Sequence, residues 1–516
     1  MNALNPPHES VDLPLHIRAL FESDAYPHKI NSIEMIQTHI SWVFLTGAFA
    51  YKIKKPVNFG FLDFSSLEKR RHFCERELQL NRRLSPDIYL AVLPLVCVGD
   101  HFQLGGEGEV VDYCLKMKQF DQHNLLDRRL SDGSFEAHWM DELAQDTASF
   151  HAAAEVDCSI DHTELLQAHI QDNLAIASEH IGSVVSQADH DRMSDFAKEQ
   201  LRKQQPLLHK RQKDGYIRRC HGDLHLRNIA LIQGRPQLFD CIEFNDQFAL
   251  IDTMNDAAFL MMDCDAHQRS DLSMRFISRY LEYSGDYEAV ELLPLYLFYR
   301  ASVRGKVACL LAASLEGDDR IRRLSEARHY FALACHYTQS KEARLLAVGG
   351  LSGSGKSHLS LLGCGVEGAI IIRSDATRQR IASHFPDLPL YSQPMHIHTY
   401  ASMFAAAEKV LNAGFSVILD ATFLHADSRH QLKELADHCQ KPLVFYWLDL
   451  DTNLLRQRVK QRQHAGNDIS DADLPVLEAQ LATYVRPNET WVDFLDSSEY
   501  WPMLGESRTF PSKCGG

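Results

Sequence analysis

The stretch GLSGSGKS, residues 350–357, decides the fold of the second half of this 516-residue chain. It matches the pattern G-x-x-x-x-G-K-[ST] in full, and the run RLLAVGG that leads into it predicts a buried parallel strand. In this context the glycines let successive backbone N–H groups turn toward phosphates, and the next helix adds its positive N-terminal end. The pattern predicts a nucleotide-phosphate site formed by Gly350, Ser352, Gly353, Ser354, Gly355, Lys356 and Ser357.

Two of these side chains have specific predicted roles. We expect Lys356 to reach the β- and γ-phosphates of ATP and Ser357 to be a ligand of Mg²⁺. The alternative without function is a Gly-Ser turn at the start of a helix. The strand that precedes the loop favours the phosphate site over that alternative.

Two aspartates follow later strands, at the edge where ligands collect in open α/β sheets. Asp375 comes just after the strand predicted in GAIIIRSD, and Asp420 ends the strand predicted in FSVILDAT. We predict Asp375 to be catalytic, by orienting or deprotonating an acceptor hydroxyl, and Asp420 to hold Mg²⁺ or its bound water. For each aspartate the alternative is a helix N-cap, a position that Asp also favours.

An arginine-rich helix is predicted in NLLRQRVKQRQ, where Arg458 and Arg462 lie at i and i+4 on one face. One interpretation is ordinary surface charge. The other is a lid that clamps nucleotide phosphates, and the spacing favours neither.

Over roughly residues 343–500, the loop together with RSDATR and LDATF resembles the small P-loop kinases. That group includes gluconate-kinase-like, polynucleotide-kinase-like and zeta-toxin-like enzymes. The resemblance implies that Asp375 faces the acceptor hydroxyl and that the arginine-rich helix is the lid. The sequence has no Walker-B stretch with two consecutive acids, which favours a kinase over a mechanical ATPase.

The first half is decided by CHGDLHLRNIALI, residues 220–232. The spacing from Asp223 to Asn228 is that of the protein-kinase catalytic loop, where the aspartate faces the acceptor hydroxyl and the asparagine holds Mg²⁺. Asp240 follows across the turn QGRP and is the predicted second Mg²⁺ ligand. The patterns H-E-x-x-H and G-x-S-x-G are absent, which argues against metalloprotease and serine-hydrolase chemistry.

A lysine for the ATP phosphates is expected upstream of this loop. Lys52 and Lys54 share one face of the strand predicted in FAYKIKK. Glu77 lies on the otherwise apolar face of the next predicted helix, which begins with a capping box of Ser65 and Glu68. Because a buried carboxylate needs a partner, we predict that Glu77 pairs with Lys52, with Lys54 as the alternative lysine.

HGDLHLRN together with LFDCIEF resembles the aminoglycoside phosphotransferase and choline-kinase superfamily, over about residues 30–335. The whole chain is similar to bacterial proteins that fuse such a domain to a P-loop kinase domain. The turn TGAF departs from the pattern of kinases that cover ATP with G-x-G-x-x-G. The resemblance implies that Asp223 is the catalytic base and that Asn228 and Asp240 are the Mg²⁺ ligands. It also implies that His221 anchors the loop, that His225 orients it and that Asp256 braces it.

The predicted fold class is an α+β, protein-kinase-like two-lobed domain followed by an α/β P-loop NTPase domain with a mostly parallel sheet. We predict the first domain to cover residues 1–338 and the second residues 339–516, with the junction near TQSKEA. Because the motifs share no residue across this junction, we expect two separable nucleotide sites, and residues 1–338 are long enough to form a core.

Composition limits the partners. The net charge of −16 argues against a general nucleic-acid or anionic-membrane surface. No apolar stretch is long enough for a membrane span, and the N-terminus lacks the pattern of a secretory signal. Twelve cysteines without a C-x-x-C pair argue against zinc ribbons and disulfide frameworks, so a cytoplasmic location is expected. The sequence does not indicate an oligomeric state.

The function predicted from these patterns is an ATP- and Mg²⁺-dependent phosphotransferase with two nucleotide sites that acts on hydroxyl groups of small molecules. One alternative is that one domain only senses nucleotide as a regulatory module. Another is that the P-loop domain is a nucleotide, nucleotide-sugar or polynucleotide end kinase of toxin type, although the charge of −16 weighs against long polynucleotides.

Overall fold

The computed structural model describes residues 13–30, 32–60, 62–157, 159–339, 342–465 and 473–496. A six-stranded antiparallel sheet holds the lysines of the site predicted in the first half of the chain. The strand order is β1-β2-β3-β6-β4-β5. Strands β2 and β3 meet at the predicted Thr46–Gly47 turn, and β3 carries both lysines. The strands are β1 (Glu34–Gln37), β2 (Ser41–Leu45), β3 (Phe49–Lys54), β4 (Tyr89–Val98), β5 (His101–Leu104) and β6 (Glu109–Lys118).

Helix α2 (Leu67–Asn81) packs on β4 and β6 and presents Glu77 inward. The predicted capping box is wrong by one residue, because Ser66 is the N-cap and its side chain accepts from the backbone N–H of Lys69. Ser65 instead donates its hydroxyl to the carboxylate of Asp63, 2.6 Å away, so it belongs to the turn before the helix.

A short hairpin carries the second part of this site. Strands β8 (Ile229–Ile232) and β9 (Arg235–Leu238) pair in antiparallel register, and the backbone N–H of Phe239 donates to the carbonyl of Asn228. Asn228 and Asp240 therefore flank the same end of the hairpin. Beside it, β7 (Ile217–Arg219) pairs with β10 (Leu250–Asp252).

Helices fill most of the two regions, 134–210 and 252–337, in which the sequence predicts them. Apart from α2, the α-helices up to residue 337 are α1 (Leu15–Arg18), α3 (Leu126–Ser131), α4 (Trp139–Ala153), α5 (His162–Glu179), α6 (Gln187–Lys213), α7 (Asp246–Ala249), α8 (Thr253–Ala266), α9 (Ser270–Ser284), α10 (Leu293–Ala313) and α11 (Gly317–Tyr337).

A five-stranded parallel sheet of order β12-β13-β11-β14-β15 follows. Its strands are β11 (Leu345–Gly350), β12 (Ala369–Arg373), β13 (Ser416–Asp420), β14 (Leu443–Asp449) and β15 (Val492–Asp496). The residues of β11, β12 and β13 are all buried, as expected for parallel strands covered on both faces. The accompanying helices are α12 (Lys356–Glu367), α13 (Ser374–Ala382), α14 (Gln393–Asn412), α15 (Ala426–His438), α16 (Thr452–Ala465) and α17 (Leu474–Thr483).

The two kinds of sheet confirm the predicted fold class. Among the described residues, those up to Trp139 together with Ala153–His162 and Arg211–Asp256 form one compact unit, and the others form a second. The predicted boundary between residues 338 and 339 does not coincide with this division and stays a prediction. No helix of the described chain is long and apolar enough to cross a membrane.

Candidate active sites

The first candidate site, called the front site below, contains a buried network of lysines and carboxylates. Lys52 Nζ lies 2.7 Å from Glu77 Oε1 and 2.8 Å from Asp240 Oδ1. Lys54 Nζ lies 2.6 Å from Glu77 Oε2 and also donates to Glu243. The structure therefore brings Lys52 and Glu77 together as the sequence predicts, and Glu77 bridges the two lysines. Lys54 is the deeper one, with 1% of its side chain exposed against 11% for Lys52.

Burial and charge act against each other in this network. Burial alone would raise the pKa of Glu77, but the ammonium groups of Lys52 and Lys54 reverse that effect and hold the pKa below its ordinary value. Burial would lower the pKa of Lys52, but Asp240, Glu77 and Glu243 raise it well above its ordinary value. Both lysines therefore remain charged, and Lys52 is held in place as a cation.

Asp223 lies in the loop before the hairpin and contacts the predicted metal-binding asparagine. Asn228 Nδ2 donates to the backbone carbonyl of Asp223, 3.0 Å away, and to its Oδ2 atom, 2.9 Å away. His225 Nε2 lies 3.2 Å from the same Oδ2 atom. The carboxylate of Asp223 is 38% exposed, so it is both oriented by neighbours and open to a substrate.

A buried carboxylate braces this loop from behind. The Asp256 oxygens accept from the backbone N–H groups of His221 and Gly222, each at 2.9 Å. Burial lowers the pKa of His221, so its ring is neutral, with Nε2 placed 2.9 Å from the carbonyl oxygen of Phe239. Asp256 thus ties the loop to α8 and His221 ties it to the hairpin. These contacts are of the kind that the resemblance implies for the two residues.

Asp240 has an unusual backbone. Its φ of 65° lies in the left-handed region, which residues other than glycine seldom adopt, and its N–H donates to the hydroxyl of Tyr89 at 3.0 Å. Such strained residues concentrate at functional sites. The carboxylate of Asp240 and the amide oxygen of Asn228 are the hard oxygen ligands that Mg²⁺ prefers, so the donor set fits this ion.

The second candidate site, called the P-loop site below, is a cavity of about 510 Å³ at the edge of the parallel sheet. It opens where the loop after β11 and the ends of β12 and β13 meet, which is where α/β sheets bind ligands. The predicted site residues that line it are Ser352, Gly353, Gly355, Lys356, Ser357, Asp375, Asp420 and Arg458.

Three further predicted residues, Gly350, Ser354 and Arg462, are not among the residues that line this cavity in the described structure. Gly350 has a φ of 138°, and a Cβ there would lie 2.8 Å from the carbonyl oxygen of Leu448 and 2.9 Å from Ser354 Oγ. Gly350 thus allows the turn rather than forming the wall, and Ser354 is buried behind the loop. Arg462 lies in α16, but its side chain is outside the described part of the structure.

Asp420 lies beside the loop serine. The hydroxyl of Ser357 is close enough to oppose the rise in the pKa of this carboxylate, while Lys356 Nζ donates to the carbonyl of Leu351, 3.0 Å away. Burial raises the pKa of Asp420, and the positive charge of Lys356 opposes that shift. Asp420 Oδ2 is buried and has no hydrogen-bond partner among the described residues. A buried carboxylate oxygen without a donor, next to a serine hydroxyl, fits a Mg²⁺ site.

Neither predicted aspartate is a helix N-cap. Asp375 lies in the first turn of α13, whose N-cap is Arg373, and it accepts from Arg378 Nη1 at 2.6 Å. Asp420 is the last residue of β13, and the N-cap of α15 is His425. The alternative interpretation of both aspartates as caps is therefore wrong.

Sequence reasoning missed several residues of the two sites. Glu243 lies in the quoted stretch LFDCIEF, but nothing in its spacing pairs it with Lys54. His396 and Gln480 reach the cavity from α14 and α17, and Gln480 accepts from the backbone N–H of Ser352 at 2.9 Å. Burial, assisted by Arg378 and His425, lowers the pKa of His396 to about 4. No fixed spacing from the loop identifies these residues, because only the folded sheet brings their helices to it.

Comparisons with known proteins agree with this geometry. A family model described as an AAA domain matches residues 345–487, which include the phosphate loop, both aspartates and Arg458. The uncharacterized proteins Rv2004c of Mycobacterium tuberculosis and Mb2027c of Mycobacterium bovis are each 30% identical to the chain over 463 residues. Each alignment covers 88% of this chain and 91% of the relative.

The chain belongs to the family of these mycobacterial proteins. Its similarity to solved structures is lower. A choline/ethanolamine kinase family protein from Mesorhizobium loti is 10% identical and covers 60% of this chain and 92% of its own, with a TM-score of 0.36. A sugar kinase from Janibacter is 22% identical and covers 33% of this chain and 99% of its own, with a TM-score of 0.24.

The two-part resemblance predicted from the sequence is confirmed at the level of the fold. The family match covers the predicted P-loop part, and the six-stranded antiparallel sheet forms the part for which the sequence predicts a two-lobed, kinase-like fold.

Proposed function

We propose that the protein is an ATP- and Mg²⁺-dependent phosphotransferase with two nucleotide sites, which phosphorylates hydroxyl groups of small molecules. The observation that carries the proposal is that Lys356, Asp375 and Asp420 line one cavity together with the phosphate loop. Phosphoryl transfer needs a cation that binds the phosphates, an acidic residue beside the acceptor hydroxyl and a carboxylate that can bind a metal ion.

In the front site, Lys52 binds the ATP phosphates and Glu77 keeps its ammonium group in position. Asn228 and Asp240 hold Mg²⁺, which neutralises charge on the phosphates when it is bound. Asp223 accepts the proton of the acceptor hydroxyl, since its carboxylate is partly exposed and its Oδ2 atom is oriented by Asn228 and His225. Removal of that proton makes the hydroxyl oxygen a better nucleophile.

In the P-loop site, the backbone N–H groups of residues 350–357 and the ammonium group of Lys356 bind the phosphates. Ser357 and Asp420 hold Mg²⁺, and Asp375 orients the acceptor hydroxyl. Arg378 holds the Asp375 carboxylate at 2.6 Å and so fixes its direction. Arg458 lies in the cavity wall, where a phosphate clamp is needed.

The acceptors are small molecules in this proposal. A volume of about 510 Å³ lies within the range of pockets that bind small ligands, which is about 300–1,000 Å³. The charge of −16 disfavours a polynucleotide or an anionic membrane as partner, and we propose a cytoplasmic protein on this basis and on its cysteine pattern.

A phosphorylation assay with γ-labelled ATP and a panel of metabolites, nucleotides and oligonucleotides tests the proposal. The wild-type chain, Asp223→Asn and Lys356→Ala are compared, so that each labelled product is assigned to one site. We expect two sets of small-molecule products, each lost in one variant only. Labelled oligonucleotide ends lost with Lys356→Ala would replace the second activity by an end kinase. A site that binds ATP but labels nothing in the panel would be a sensor.

A further inference from the structure

Arg373 and Asp420 both line the P-loop site and could form an ion pair, but the described structure shows none between them. Arg373 and Asp420 are direct register partners on the neighbouring parallel strands β12 and β13, so their backbones are about 5 Å apart. Among the described contacts, the guanidinium of Arg373 makes no hydrogen bond or close ion pair with Asp420, although its charge acts on that carboxylate from a greater distance. Its Nε atom donates to Glu282 Oε1 at 2.6 Å, and Nη2 donates to Glu282 Oε2. Within the described part of the chain, Asp420 Oδ2 meanwhile has no hydrogen-bond partner.

Glu282 is itself held on both sides. It lies near the end of α9 and is 7% exposed, and Arg279 Nη1 donates to its two oxygens at 3.0 and 2.9 Å. Arg279 also donates to Asp141 at 3.2 Å. Because two guanidinium groups share one buried carboxylate, Glu282 has a fixed position from which it binds Arg373 in bidentate fashion.

Helix α9 is fixed against the edge strand β12 in the same way. The hydroxyl of Ser278 accepts from the backbone N–H of Ile371 at 3.0 Å, which satisfies a buried donor of that edge strand. Asp271, at the other end of α9, packs against Gly365 of α12, where an added Cβ would come within 2.6 Å of the Asp271 Cβ. The helix is therefore a rigid support for Glu282.

We propose that Glu282 is a positioning residue of the P-loop site, which holds Arg373 away from Asp420 and so leaves the Asp420 carboxylate available for Mg²⁺. The inference rests on the proposed function of that site. Without Glu282, the guanidinium of Arg373 turns to Asp420, because that is its cross-strand partner and has a carboxylate oxygen without a donor. An arginine bound to Asp420 would compete with the metal for the same oxygens.

Glu282 lies outside residues 345–487, the part that matches the family model, and inside residues 1–338, which the sequence assigns to the other domain. The metal affinity of the P-loop site thus depends on a residue that no motif of that site includes. Helix α9 is by this inference part of the P-loop site.

Calorimetric titration of ATP at several Mg²⁺ concentrations tests the inference on the full chain. All variants carry Asp240→Ala, so that the Mg²⁺ dependence reports on the P-loop site. We expect Glu282→Gln to raise the Mg²⁺ concentration for half-maximal ATP binding about tenfold, as loss of groups around metal ligands commonly does. Affinity for ATP without Mg²⁺ should change by less than about twofold, since the phosphate loop is intact. The matched control is Glu288→Gln, which removes a half-buried carboxylate paired with Lys210 and should change neither quantity.

The double variant Glu282→Gln with Arg373→Gln separates competition from damage. If Arg373 competes with Mg²⁺, its removal restores the Mg²⁺ requirement to within about threefold of the starting protein, because the competitor is gone. An unchanged requirement in folded Glu282→Gln, or a raised requirement that the double variant does not restore, overturns the inference.

Two further variants complete the experiment. If Glu282→Gln does not fold, Glu282→Asp replaces it; this variant keeps the charge and should stay within about threefold of the starting protein, and a tenfold rise would overturn the inference. Lys356→Ala tests the proposed function separately. If ATP still binds there with unchanged affinity, the P-loop assignment fails; if ATP binding is lost but Glu282→Gln has no effect on Mg²⁺, only the present inference fails.

Discussion

The ammonium group of Lys52 lies 2.8 Å from Asp240 Oδ1, although 188 residues separate the two in the chain. The same ammonium group lies 2.7 Å from Glu77 Oε1. The lysine predicted to bind ATP phosphates and the carboxylate predicted to bind Mg²⁺ are therefore part of one network, anchored on a buried glutamate. The stability and the nucleotide affinity of the front site should both depend on this network.

Glu77→Gln is expected to destabilise the protein by about 3–5 kcal/mol at neutral pH, because it leaves two buried ammonium groups without their shared carboxylate. The pKa of Glu77 is held below its ordinary value by the two lysines, so its stabilising effect is present above that value and is lost as the pH falls into the acid range. The difference in unfolding free energy between wild type and variant should therefore shrink below about pH 4.5. Denaturant titrations at several pH values measure it.

The matched control for this prediction is Glu75→Gln on the same helix. Glu75 is exposed and pairs with Arg71 at i, i+4, so its loss should cost less than about 1 kcal/mol. A Glu77→Gln protein as stable as Glu75→Gln at pH 7 would show that the network contributes no stability.

Asp223→Asn is expected to lower the transfer rate of the front site by about 10²–10⁴, the usual contribution of a general base. Nucleotide affinity should change little, because the contacts of Lys52 and Asp240 do not involve Asp223 and Asn228 Nδ2 still donates to the backbone carbonyl of residue 223. Turnover of a front-site product and calorimetric ATP binding measure the two effects. A rate within about threefold of wild type would contradict the role of Asp223 as the base.

The sequence predicted those features of the sites that depend on short-range spacing. Helical periodicity placed Glu77 on the inner face of α2, and strand alternation placed Lys52 and Lys54 on one face, so their meeting followed from two local rules. The loop pattern and the strand ends likewise pointed to several residues that line the cavity, among them Lys356, Asp375 and Asp420, but not to His396 or Gln480. These predictions succeeded because one backbone period fixes where a side chain points.

The sequence could not predict partners that only tertiary packing brings together. Glu282 and Arg373 are 91 residues apart, and no period or motif relates α9 to β12. The N-cap of α2 was predicted one residue early because only Ser65 has a glutamate three residues later, whereas the structure uses Ser66 as the cap and ties Ser65 to the turn at Asp63. The sequence did not predict strand β15 at the edge of the parallel sheet, because its residues VDFLD do not form a long apolar run.

Lys356→Ala is expected to abolish ATP binding at the P-loop site, because it removes the cation at the β- and γ-phosphates that the loop backbone cannot replace. The front site should still bind Mg-ATP, so calorimetric titration should give one nucleotide per chain instead of two. Asp240→Ala is the reciprocal variant, in which Mg²⁺-dependent binding at the front site is lost. Loss of both binding events in either variant, with the protein folded, would require one composite site instead.

The fragment 1–338 is expected to be less stable than its length alone suggests, although it contains the whole front site. Residues 339–516 include the partners of α9, namely the Ile371 N–H bound by Ser278 and the guanidinium of Arg373 bound by Glu282. Without them, a helix face that is buried in the full chain faces water, and exposed apolar surface of this kind promotes association. We expect a lower melting temperature by circular dichroism and greater binding of a hydrophobic dye than for the full chain with Lys356→Ala, the control that lacks only P-loop nucleotide binding. A fragment that melts at the temperature of this control would show that α9 needs no support from β12, and that the two nucleotide sites are separable in stability as well as in chemistry.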